Sequence, residues 1–217
     1  MKVNNDIPVK RAYSTEYRAE TGENNEHRII GHAAVFGSKA DIYGYYEEVI
    51  ERGAFDGCKF KDVIFCINHD TKKIPLARSR NNTSDSTLRI SVDDKGLAID
   101  ALLDTERNTE AAALYSATER GDMGGMSFIF KVAEDRWEGL DTDKPVRHIE
   151  KIAEVFEVTA ATFPFYQATD MDARAQRSLE SDLAALESAR NEAKNALESA
   201  NTSRQRELYK TRAKLGI

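Results

Sequence analysis

Three residues of this 217-residue chain carry groups of the types that serine hydrolysis uses: a hydroxyl at Ser127, an imidazole at His69 and a carboxylate at Glu157. Hydrolysis by serine needs a hydroxyl held at a fixed backbone position and an imidazole to take its proton. A third group must keep that imidazole in the right tautomer. His69 follows the apolar run VIFCIN and precedes Asp70, so it stands where a strand gives way to solvent. Ser127 lies in Gly124-Gly125-Met126-Ser127-Phe128, where paired glycines allow close backbone approach and can present amide donors to an oxyanion. Glu157 lies within FEVTAATF and must either point outward or find a partner inside. Position alone favours plainer roles for each of the three: a surface histidine, a strand serine and an outward acid. The other histidines are placed less well, His27 in a polar loop and His32 and His148 at the openings of apolar runs.

Other chemistries lack their motifs. The chain has no GxGxxG, no GxxxxGK[ST] and no HExxH, and its four histidines and two cysteines, Cys58 and Cys66, do not suggest zinc. No cofactor is expected. Two cysteines in a chain of this length do not make a disulfide framework and fit a reducing, intracellular setting. The net charge of -6 and the lack of basic–aromatic interleaving argue against a nucleic-acid partner. The N-terminal residues lack the apolar core of a signal peptide, and no apolar run approaches the ~20 residues that span a bilayer. A soluble protein with no membrane partner is expected.

The elements that must position these groups can be read from the pattern. Residues 1–28 are polar, with a turn or loop over 21–27. Strands are expected over RIIGHAAVFG, ending at Gly37, over VIFCIN and over MSFIFKV. The hairpin signal over 86–103 is the clearest, with Leu88, Ile90 and Val92 alternating, Asp94-Lys95-Gly96 turning, and Leu97, Ile99 and Ala101 alternating again. Residues 105–122 read as an Ala- and Glu-rich helix closed near Gly121. Residues 134–145 are charged and read as a loop containing Trp137. The run 148–163 is β-rich in its second half and ends at Pro164. The body is therefore expected to be α+β, barrel-like, in a single domain of about 170 residues.

The last stretch has a different texture. Between 173 and 215 there is no proline or glycine, and Leu179, Leu183, Leu186, Ala193, Leu197 and Ala200 follow a four–three spacing that Arg190 interrupts. That is the seam of a short coiled coil, although alanine and arginine on it bury little area, and a solitary solvated helix fits as well. The boundary is expected near residue 174, with 1–174 the domain and 175–217 a helical tail.

Read in order, these segments resemble the prohead (capsid maturation) serine proteases of tailed bacteriophages. Gly31-His32-Ala33-Ala34-Val35-Phe36 is similar to the family's opening strand, and Glu48-Val49-Ile50 with Gly53-Ala54-Phe55 to its next element. Asn68-His69-Asp70 with Pro75-Leu76-Ala77-Arg78, the hairpin Leu88 to Leu103, the block Gly124-Gly125-Met126-Ser127-Phe128-Ile129-Phe130 and Glu157-Val158-Thr159 before Pro164 follow in family order. The resemblance covers about residues 12–174. It implies Ser127 as nucleophile, His69 as base and Glu157 as the third member, with Asp70 or another acid as the alternative. Thr159 stands where serine is usual and Phe165 where alanine is usual. The resemblance also implies a small β-barrel core ringed by helices, similar to the herpesvirus assembly proteases. Its implied substrate is the phage major capsid protein or a scaffold segment, cut inside assembling proheads in the host cytoplasm. Self-association and removal of the tail by self-cleavage belong to the same expectation. The rival is a non-catalytic assembly protein with a docking body and a scaffolding helix.

Overall fold

The computed structural model describes residues 8–13, 17–123, 125–162 and 173–215, so Gly124, Pro164 and Phe165 lie outside the described residues. In chain order the strands are β1 (Val9–Tyr13), β2 (Tyr17–Thr21), β3 (His27–Val35), β4 (Lys39–Ile42), β5 (Tyr46–Ile50) and β6 (Asp62–Ile67). They continue as β7 (Ala77–Arg80), β8 (Leu88–Val92), β9 (Gly96–Leu103), β10 (Gly125–Glu138) and β11 (Val146–Ala161). Helix α1 (Thr109–Glu119) precedes β10, and α2 (Ala173–Leu215) follows β11. The chain is α+β. Its described strands form a seven-stranded sheet, ordered β1-β10-β11-β5-β4 with β6 and β7 attached through β11, and a four-stranded sheet ordered β2-β3-β9-β8. Neither set of pairings closes into a ring, so the barrel part of the expectation has no closed ladder behind it among the described residues.

One apolar cluster joins the two sheets. Strand alternation explains it: Met126, Phe128, Phe130 and Val132 of β10 are buried, and so are Leu88, Ile90, Leu97, Ile99 and Ala101 of the β8–β9 hairpin. The hairpin turn lies where the sequence puts it. Asp93 Oδ1 accepts from the amides of Lys95 and Gly96 at 2.8 and 2.9 Å, a carboxylate cap on the turn. Gly96 is required by space, because a Cβ there would lie 2.0 Å from the carbonyl oxygen of Ala34. Gly96→Ala is therefore expected to destabilise by about 1–3 kcal/mol or more, since backbone must shift to admit one methyl. A chemical-denaturation midpoint equal to that of the parent chain would contradict this.

Helix α1 starts at Thr109, later than expected. Asp104 Oδ1 accepts from Arg107 N and the Asp104 carbonyl from Asn108 N, which closes a turn, and Asn108 then caps the helix through Glu110 N and Ala111 N. The turn expected over 21–27 is present as a short 3-10 helix, Glu23–Asn25, between β2 and β3. The expected loop 134–145 instead begins as strand, because β10 runs on to Glu138. The charges there misled: Asp135 is buried on the sheet, which a strand tolerates only with a partner, and Arg147 of β11 supplies it at 2.5 Å.

Helix α2 has two parts. Ser178, Leu179, Asp182 and Leu186 are buried, and Arg190 donates to the carbonyls of Leu140 and Thr142. The first leucines of the expected seam thus pack on the body. Beyond Arg190 every described residue of the helix is exposed.

Candidate active site

Strands β6, β11 and β10 lie side by side. Parallel pairing sets Thr159 opposite Cys66 and Glu157 opposite Ile64, and antiparallel pairing sets Ser127 opposite Thr159 and Ile129 opposite Glu157. Residues directly opposite share a face, and so do residues two apart. The polar side chains of Ser127, Thr159, Cys66 and Glu157 therefore share one face of the sheet, while Phe128, Val158 and Phe65 share the core face.

His69 reaches this face from a tight corner. β6 ends at Ile67, and both Asn68 and His69 adopt left-handed backbone, with φ of 49° and 59°. Asparagine and histidine are among the residues that enter that region most readily, yet each does so at a cost on the order of 1 kcal/mol. The corner is held from β11. Asn68 Oδ1 accepts from Thr162 N and Nδ2 donates to Thr162 Oγ1, both at 2.9 Å. The His69 amide donates to Thr159 Oγ1 at 3.0 Å, and that hydroxyl donates to the Cys66 carbonyl at 3.0 Å.

Thr159→Val would leave the His69 amide without this acceptor inside a half-buried corner. Losing such a bond costs about 1–3 kcal/mol. Thr159→Val is expected to lose stability in that range, while Thr159→Ser stays within about 0.5 kcal/mol of the parent, as read by denaturant titration. Equal stabilities for the Val and Ser variants would contradict the bracing role.

The geometry brings the three expected residues together. His69 Nε2 lies 2.7 Å from Ser127 Oγ, and Nδ1 lies 2.8 Å from Glu157 Oε2. The Ser127 hydroxyl also lies 2.7 Å from the carbonyl oxygen of Arg11 on β1. Ser127 and Glu157 are buried, and the His69 side chain is 8% exposed. A carboxylate at Nδ1 keeps a proton on that nitrogen and leaves Nε2 as the acceptor for a hydroxyl proton. Such a chain can activate a hydroxyl as a nucleophile.

Glu157 is held at both oxygens, because Cys66 Sγ donates to Oε1 at 3.1 Å. Burial, and then the nearby Glu157 carboxylate, push the Cys66 thiol well above its ordinary pKa, so it remains protonated and can donate. The alternative acid, Asp70, turns into the following bend, where its Oδ1 accepts from Lys72 N. The remaining histidines have partners elsewhere: His27 at Thr105, His32 at Asp93 and His148 at Glu51. Among the described residues no group of three or more His, Cys, Asp or Glu is placed to hold a metal ion.

Sequence reasoning missed Cys66, the bracing role of Thr159 and the Arg11 carbonyl. Thr159 carried a usable signal, since it stands two residues beyond Glu157 on the same face of a strand. Cys66 and Arg11 carried none, because their positions depend on which strands pair.

Comparison with known proteins places the chain in a family. Over 147 residues the chain is 29% identical to the prohead protease of Enterobacteria phage HK97, a match covering 66% of this chain and 58% of that protein. The chain thus spans less than two thirds of that relative's length. No solved structure matches. The pattern of the caudovirus prohead serine proteases matches residues 13–183, a span that contains β2 to β11, both ends of the Ser127–His69–Glu157 chain and the first turns of α2. With that match over most of its length, the chain belongs to the caudovirus prohead serine protease family.

Proposed function

We propose that the protein is a serine endopeptidase that cuts scaffold or capsid-protein segments, and itself, during phage head maturation. The observation that carries this reading is the pair of contacts at His69, 2.7 Å to Ser127 and 2.8 Å to Glu157, in a chain of this family. Ser127 Oγ attacks the scissile carbonyl carbon and its proton passes to His69 Nε2. The C–N bond breaks as the imidazolium gives that proton to the leaving amine. Water then repeats the sequence at the acyl-enzyme, releasing the acid and restoring the serine. Glu157 holds Nδ1–H and offsets the charge that forms on the ring. These steps call for no metal or nucleotide.

The barrel-like core is read as the two sheets wrapped about their common apolar cluster. Residues 1–174 form the protease domain, and 175–217 form a tail that self-cleavage removes. The exposed part of the tail, beyond Arg190, is the part available to pair with scaffold helices inside the shell in the host cytoplasm. The test is incubation of the full chain with the major capsid protein of its own phage and identification of new termini by mass spectrometry. New termini in the capsid protein are the expected result. An intact capsid protein, under conditions where the chain is folded and its tail has been lost, would overturn the reading of the substrate.

A further inference from the structure

The nucleophile's strand has a second neighbour. β1 pairs antiparallel along β10, with Ala12 opposite Ser127 and Arg11 opposite Phe128. The Arg11 carbonyl lies 2.7 Å from Ser127 Oγ, at the same distance as His69 Nε2. One hydroxyl carries one proton. While that proton is directed at the Arg11 carbonyl it is not directed at Nε2, so the seated β1 competes with His69 for it. Ser127 is also fully buried. The arrangement is therefore closed to substrate, and the carbonyl draws the hydroxyl proton away from its base.

What holds β1 there lies on the other side of the sheet. The Arg11 guanidinium donates to Glu48 of β5 at 2.7 and 3.2 Å, to the Tyr46 hydroxyl at 3.0 Å and to Asp182 of α2 at 2.6 Å. Arg147 meets the same Asp182 at 2.8 Å and Asp135 at 2.5 Å. Glu48, Arg147 and Asp182 are completely buried, and Arg11 and Asp135 nearly so. Counting charges separates the body from the tail. Arg11 and Arg147 balance Glu48 and Asp135 without help, and Asp182 is a fifth charge that only α2 brings. Departure of α2 therefore leaves each body charge with an opposite partner, which a buried cluster requires. It removes the shortest contact that Arg11 makes.

We propose that docked α2 is a brake on this protease: through Asp182 it pins Arg11 and thereby keeps β1 seated over Ser127, and release of the tail frees β1 and opens the nucleophile. This rests on Ser127 being the nucleophile. The partner recognised by the β1 seat is an extended segment of this same chain. A substrate strand takes that edge of β10 once β1 has left, because an unpaired edge accepts an extended peptide through backbone hydrogen bonds.

The experiment reads the rate at which a fluorophosphonate probe labels Ser127 in the intact full chain, located by peptide mass spectrometry, beside hydrogen exchange of the β1 amides. Asp182→Ala also removes the bonds that Asp182 accepts from Tyr46 and Arg147, and through the one it accepts from Arg11 it should raise both labelling and exchange about ten- to a hundredfold. The double variant Leu179→Ala/Leu186→Ala weakens the apolar seat of α2 without touching the charge cluster, and should do the same. A folded Asp182→Ala chain that labels Ser127 no faster than the parent overturns the brake and leaves the nucleophile in place. Failure of both variants to fold overturns it too, since the tail would then be part of the core and not a releasable element. Absence of any Ser127 adduct in every folded variant, with β1 exchange raised, would instead strike the assignment of Ser127 itself.

Discussion

Ser127→Ala is expected to leave a folded chain that produces no new termini in capsid protein, a loss on the order of a millionfold in rate. The fold should survive for a local reason. Ser127 is a small buried side chain between Ala12 and Thr159, and alanine fits the same space. The substitution removes the hydroxyl's contact with the Arg11 carbonyl, worth about 1 kcal/mol, and leaves the backbone ladder untouched. Circular dichroism and a thermal melt verify folding, and mass spectrometry of the capsid protein reads the reaction. Undiminished cleavage by the folded variant would mean that another group attacks the carbonyl.

Glu157→Gln should be nearly as severe, with kcat falling about ten-thousandfold, as expected when the acid behind an imidazole becomes an amide. The surroundings predict how the amide will sit. Cys66 donates to Oε1, so the glutamine oxygen keeps that acceptor position and its NH2 turns toward His69 Nδ1. Nδ1 must then accept, the proton moves to Nε2, and Nε2 can no longer take a proton from Ser127. Cys66→Ala in the same background frees the amide to flip and should return part of the lost rate. A near-normal rate in Glu157→Gln would remove Glu157 from the reaction and point to Asp70 or another acid.

How much of this could be read in the sequence follows from the range of each interaction. The β8–β9 hairpin was legible because alternation and turn chemistry are local. Helix α1 was legible in its interior, and its start was displaced by the turn that Asp104 closes. β1 was not legible, since VKRAY holds a cation whose partners stand 35, 37 and 171 residues away. The same reason hid the end of β10: a buried Asp135 looks like loop until Arg147 is placed beside it. In the site, His69 and Ser127 stood at recognisable places, a strand end and a glycine-flanked strand start, and the family resemblance supplied their pairing. Glu157 became distinct from Asp70 only through the parallel pairing of β6 with β11, a non-local feature that no spacing reveals. The break in the tail seam at Arg190 was visible in the sequence. That the seam's first leucines face the body was not, because a heptad does not identify its partner.

The central claim is that Ser127, activated by His69, forms the acyl-enzyme during head maturation. It is tested by adding a fluorophosphonate probe to the chain while it is cutting its capsid protein and locating the adduct by peptide mass spectrometry. A single adduct on Ser127, gained in proportion to the cleavage lost and absent from His69→Ala, is the predicted result. Cleavage that continues at full rate with Ser127 modified, or that stops with the adduct on a different serine, would contradict it.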